Sequence, residues 1–271
     1  AQNFMREMFK SHPYGRDMLG HEAQIKGITE ERVYEHLCYM RKSANLNIAV
    51  VGDVTREPLI EKLEEITAQL PRGERFEREF DLVLPQTEQR TFHELKKEQT
   101  HIIVGYPGLT FTDKDRYALQ VIQSVLAGQG GRLFLELRDK KSLAYTVSPL
   151  RMEGIDAGYF GAYIACSPEK AQTAIEMLIG EFNKLGEFRV GETELKRAQR
   201  FIVGRHDIEL QKNSSIASTL LFDDIYGISF KETRSFAQRI MDVDAQQVQT
   251  MARRIFSQPK VISVVGQTCP W

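Results

Sequence analysis

Tryptophan occurs once in this 271-residue chain, cysteine three times and proline nine times. Cys38, Cys166 and Cys269 are widely spaced and odd in number, which argues against a disulfide framework, and no C-x-x-C pair offers a zinc ribbon or a dithiol redox centre. Cys38 and Cys166 have apolar neighbours in sequence and read as small buried hydrophobes. No apolar run approaches the roughly 20 residues that cross a bilayer, so no membrane span is expected. No signal peptide is legible. The first residue is Ala1 rather than Met, however, so a soluble protein of either cytoplasm or periplasm stays open.

Net charge is also missing. Thirty-six basic and 37 acidic residues interleave to a formal charge of −1, which removes the electrostatic footprint of a nucleic-acid binder. What remains is ordinary for a globular chain, 42% hydrophobic and 27% charged, enough for one large domain or two smaller ones.

An internal repeat sets the organisation. The stretch ITEERVYEHLCYMRKSANLNIAVVGDV (28–54) and the stretch VDAQQVQTMARRIFSQPKVISVVGQT (243–268) both read as a capped helix, a polar break and a strand ending V-V-G. Thr29 and Asp244 are the caps. Val33 aligns with Val248 and Val51 with Val265 at a nearly constant offset of about 214 residues, and PYGR (13–16) has a fainter echo in IYGI (225–228). Two copies of one domain would give this pattern, although helix-then-strand units also resemble one another by chance. On the repeat reading, residues 1–84 are the C-terminal part of a truncated first domain plus the start of a linker, and 85–271 are a complete second domain. Roughly 120 residues would then be expected ahead of Ala1, in the intact protein or a partner chain. The charged, proline-containing stretch 71–91 reads as the linker.

Within the second copy, TFHELKKEQTHIIVGYPG (91–108) predicts one or two strands. Asp113 is placed to cap a helix whose Leu119, Ile122, Val125 and Leu126 recur at helical spacing. Gly128, Gly130 and Gly131 break it before a second helix, RLFLELRDK. LAYTVSPL and AGYFGAYIAC alternate as a hairpin does. Ser167-Pro168 starts an amphipathic helix, and another long helix covers 192–212. The fold class expected is α+β, in repeated two-layer domains, each a mostly antiparallel sheet covered by helices on one face.

Candidate chemistry is sparse. HEAQI (21–25) and HELKK (93–97) begin like H-E-x-x-H but lack the second histidine, and H-x-x-E-H is absent, so no zinc site is expected in this chain. AGQGGR (127–132) matches neither phosphate-binding glycine pattern and reads as a helix connection. Ser142 and Ser148 lack a nucleophile-elbow context. Arg138 and Tyr145 remain, seven residues apart on either side of the turn DKKSLA. Each alone has a bland explanation: an exposed arginine near a helix C-terminus, and an aromatic in a strand.

Together these stretches resemble a known family. QGGRLFLELRDKKSLAYTVSP is similar to the second domain of the pitrilysin/insulinase family of zinc metallopeptidases, where a helix, a turn and a strand carry an Arg and a Tyr at this separation. SHPYGRDMLGHEAQIKGITEERV and LNIAVVGDVTREPLIEKL resemble the stretch closing the first domain, and EQTHIIVGYPG the strand opening the second. The resemblance implies repeated α+β domains around a peptide chamber. In it Tyr145 would stabilise the oxyanion of the scissile carbonyl and Arg138 would hold the substrate backbone. It also implies zinc, bound by H-x-x-E-H and a distant glutamate. In this chain the corresponding helix reads YALQV (117–121), so zinc is expected in the absent N-terminal part or on a partner subunit. The expected partners are a peptide substrate, a zinc-bearing domain or subunit of the same family, and a second subunit in a dimer. Alone, the chain is expected to be inactive. A non-catalytic scaffold or assembly subunit is the alternative.

Overall fold

The computed structural model describes residues 1–271 and divides into two compact units. The larger comprises Ala1–Arg16, Asp81–Asp207 and Arg234–Trp271, and the smaller Asp17–Phe80 and Ile208–Thr233.

The larger unit is built on a five-stranded sheet. Its strands are β1 (Gln89–Glu94), β2 (Thr100–Pro107), β3 (Thr146–Met152), β4 (Tyr159–Cys166) and β5 (Val261–Gly266), in the order β1-β5-β2-β4-β3. Only β1 and β5 pair in parallel; the other pairs are antiparallel, and β3–β4 is the predicted hairpin. Strand geometry sends alternate side chains to opposite faces. Ile102, Val104 and Tyr106 of β2, Phe160, Ala162 and Ile164 of β4, and Ile262 and Val264 of β5 therefore share one buried face. Helices α5 (Arg116–Leu126), α6 (Ala171–Glu187) and α10 (Ala245–Phe256) bury their apolar stripes against it.

The two-layer expectation holds, with one addition. Helix α1 (Gln2–Phe9) lies on the other face, where Phe4, Met8 and Phe9 meet Ile103 and Val261. Gly105 makes this possible: a Cβ there would lie 2.4 Å from the Phe4 ring. Beyond α1, His12 donates from Nε2 to Asp156, 3.2 Å away, because its Nδ1 accepts the Tyr14 N–H. The Tyr14 hydroxyl accepts the Ile155 N–H at 2.9 Å.

Helix starts follow their caps. Asp244 and Gln247 form a reciprocal capping box on α10, as its cap position predicted. Ser167 precedes a 3-10 turn, Pro168–Lys170, that leads into α6. Asp113 differs from expectation. Helix α5 begins at Arg116, and Asp113 instead accepts the Asp115 N–H and pairs with Arg254 at 2.8 Å. A charge-assisted fork from Arg254 outweighs a neutral backbone cap.

In the smaller unit, α2 (Glu22–Lys26), α3 (Glu30–Met40) and α4 (Arg56–Thr67) bury no residue. Two expectations fail here. Residues 46–51 form no strand, although β5, at the matching place in the repeat, does. A strand exists only through its ladder, and these residues have no neighbour to pair with. Cys38 is exposed rather than buried, and Val33, Leu37 and Met40 of α3 are exposed with it. Thr29 caps α3 through the Arg32 N–H, as its cap position predicted. Of the remaining helices, α8 (Asn213–Ile225) belongs to the smaller unit, while α7 (Glu192–Glu209) and α9 (Lys231–Met241) lie mostly in the larger.

Candidate functional site

The chain must double back between α5 and the next helix. Gly128 does so at φ +76°, and a Cβ on Gly131 would fall 2.1 Å from the Ala127 carbonyl oxygen. The helix that resumes at Arg132 is anchored at once. Arg132 forks onto Glu194 of α7 with bonds of 2.8 and 2.7 Å. Leu133 and Leu137 then enter the core.

From Phe134 to Asp139 this helix widens to π geometry, and the Lys140 N–H reaches the Leu135 carbonyl. Such segments often accompany functional sites. Arg138, next to buried Leu137, points outward, with its guanidinium 4.9 Å from the centre of the Phe134 ring. A lysine bond at 2.7 Å, Lys140 to Glu136, holds the Glu136 carboxyl below the usual carboxylate range.

The turn that follows is tied by backbone. The Ser142 N–H donates to the Arg138 carbonyl at 3.0 Å, and the Leu143 N–H to the Leu137 carbonyl at 2.8 Å. Ser142 sits at φ +48°. Leu143 and Ala144 are buried, and the Tyr145 N–H joins the sheet through the Ala165 carbonyl at 2.9 Å. Tyr145 is 60% exposed, which leaves its phenol available. The two residues singled out from sequence thus stand at the two ends of one fastened turn. Both carry hydrogen-bond donors, and neither is spent on core packing.

Sequence reasoning missed Lys170, whose ammonium donates to the Ser142 carbonyl at 3.0 Å. It lies beyond β3 and β4, so no local pattern could announce it. Cys166 lines the core nearby, and burial pushes its thiol up to about 11, which makes it unreactive.

A zinc ion needs three or four His, Cys or carboxylate ligands converging on one point. No group of three or more such side chains is so placed. In α5, where the repeat would locate a metal motif, Tyr117, Ala118, Leu119 and Val121 are core residues. This donor set does not fit the metal.

Comparison with known proteins identifies the family and the fold. A model of the family described as the peptidase M16 inactive domain matches residues 27–202. An uncharacterized zinc protease of Streptomyces coelicolor is 25% identical over 272 residues, covering 97% of this chain and 59% of that protein. A probable mitochondrial-processing peptidase subunit beta of Arabidopsis thaliana is 24% identical, covering 95% of this chain and 51% of that protein. The crystal structure of a peptidase M16 inactive domain from Pseudomonas fluorescens superposes with a TM-score of 0.91 at 21% identity, over 99% of this chain and 65% of that one. At that identity the superposition shows the fold. The chain spans less than two thirds of the length of these curated relatives.

Proposed function

Because the chain belongs to the peptidase M16 family, through that family's inactive domain, we propose that it serves a peptide-hydrolysing chamber whose zinc is held elsewhere. The relatives named zinc proteases are longer than this chain, and the metal ligands would lie in that additional length or on a partner subunit. This chain's share is the recognition and stabilisation of a peptide.

One observation carries the reading. Arg138 and Tyr145 are exposed donors at the two ends of a turn whose backbone is tied at both Ser142 and Leu143. A phenol held this way can donate to a scissile carbonyl as negative charge grows on its oxygen. Its position costs nothing to organise at the moment of reaction. A guanidinium offers several coplanar donors, suited to backbone carbonyls of an extended peptide. The core behind them, Leu137 and Ala144, keeps the turn from drifting.

Peptide hydrolysis should be absent for this chain alone. It should appear in the full-length zinc-bearing protein, or after mixing with a zinc-bearing subunit. Hydrolysis by the isolated, metal-free chain would refute the division of labour.

A scaffold role is the second reading, and the inactive character of the matched domain favours it. A scaffold would bind its partner subunit as well with Tyr145→Phe as without, and would show no kinetic response to that change.

A further inference from the structure

We propose that Lys170 is a positioning residue for Tyr145, acting on the peptide plane between Ser142 and Leu143. Its effect on catalysis rests on the peptidase reading of Tyr145; its effect on the turn does not.

Ser142 lies at φ +48°, in the left-handed region, where an L side chain crowds the following carbonyl. The peptide plane that follows sets ψ at Ser142 and φ at Leu143, and so the direction in which the chain leaves the strained residue for Tyr145. Both ends of that plane are held. Its N–H, on Leu143, donates to the Leu137 carbonyl at 2.8 Å. Its carbonyl, on Ser142, accepts from the Lys170 ammonium at 3.0 Å. Two residues later the chain reaches Ala144, buried in the core, and then Tyr145.

The hold on the carbonyl comes from the segment that also holds the far end of the turn. The Ala165 carbonyl, in β4, takes the Tyr145 N–H. Five residues on, Lys170 closes the Pro168–Lys170 turn, with its own N–H bonded to the Ser167 carbonyl at 3.0 Å. Proline at the first position presets that backbone. One short stretch therefore grips the turn at two points, and Lys170 is its side-chain grip. The bond is exposed to solvent and modest in strength, and its leverage comes from where it acts. Placed on the plane beside a strained residue, it selects the conformer that presents the phenol.

The test uses the full-length, zinc-bearing protein, or this chain assembled with its zinc-bearing subunit. Lys170→Met keeps the aliphatic stem and removes the donor. Amide exchange at Ser142, Leu143 and Tyr145 should rise about two- to fivefold, the scale of one solvent-exposed charged contact. The kcat should fall about two- to fivefold with little change in KM, because the phenol matters most in the transition state. Lys170→Arg should keep near-normal values. Adding Ser142→Gly to Lys170→Met should recover most of both losses, since glycine takes a left-handed conformation without crowding. Unchanged exchange in Lys170→Met would overturn the proposal. So would a failure of Ser142→Gly to rescue, or an unchanged kcat in Lys170→Met alongside a lowered kcat in Tyr145→Phe. If exchange rises while neither variant alters kcat, the hold of Lys170 on the turn is upheld and the catalytic reading of Tyr145 is what fails.

Discussion

The N–H of Ser142 is bonded to the carbonyl of Arg138 at 3.0 Å, which closes a turn between an exposed arginine and an exposed tyrosine. The closure requires Ser142 at φ +48°. A serine there bears about 1 kcal/mol or more of steric strain, and a glycine would instead lose about 0.5–1 kcal/mol through the freedom of the unfolded chain. Ser142→Gly should therefore be neutral to slightly stabilising, by a few tenths of a kcal/mol. Ser142→Val, branched at Cβ, should cost about 1–2 kcal/mol. Urea unfolding of both variants checks this, and a clear loss of stability in Ser142→Gly would contradict the left-handed turn.

Gly105 forms the socket for Phe4. A methyl group there would overlap the Phe4 ring, 2.4 Å from its nearest atom. Gly105→Ala should cost about 1–3 kcal/mol as an overpacked contact, and the loss should concentrate on α1. Limited proteolysis should cut near residues 10–16 sooner, while the β2 and β4 amides stay protected. Phe4→Leu, combined with Gly105→Ala, should recover part of the loss.

Much of this fold was legible, for identifiable reasons. Strand β2 announced itself by the β-branched run before Pro107-Gly108, and β3 and β4 by their alternation. Asp244 and Gln247 stand at capping-box spacing, so the start of α10 was written locally. Arg138 and Tyr145 stood out only through the family resemblance, which joins them across one helix, turn and strand. What escaped the sequence depended on distant partners. Asp113 gave up its expected cap because Arg254, from α10, takes its carboxylate. Residues 46–51 have the pattern of a strand but no neighbouring strand. Cys38 looked apolar because its neighbours are, yet those neighbours are themselves exposed. Lys170 meets Ser142 only after two strands have been laid side by side.

Arg151 and Glu153 approach to 2.9 Å with both side chains largely buried, yet Glu153 Oε1 is not aligned for a hydrogen bond. Burial pushes the Glu153 carboxyl up, and Arg151 only partly offsets it. A raised folded-state pKa means that the folded chain binds this proton more tightly than the unfolded chain. The stabilisation is complete below the ordinary glutamate range and is lost as pH rises through the raised value. Glu153→Gln does not titrate, so wild-type stability relative to this variant should decline as pH climbs from that range toward neutrality. Thermal unfolding of the pair across pH measures it, and a flat difference would show that burial does not dominate.

The central claim is that Tyr145 contributes its hydroxyl to catalysis. Tyr145→Phe removes that group and keeps the ring, so the melting temperature should hardly move. In the full-length zinc-bearing protein, or in the assembled pair of subunits, kcat for a peptide substrate should fall by about 10²–10³, the usual effect of losing one oxyanion donor. KM should change little, since the bond strengthens in the transition state. A kcat equal to wild type, with zinc bound and the fold intact, would contradict the account and leave Tyr145 as an ordinary residue at the start of an edge strand.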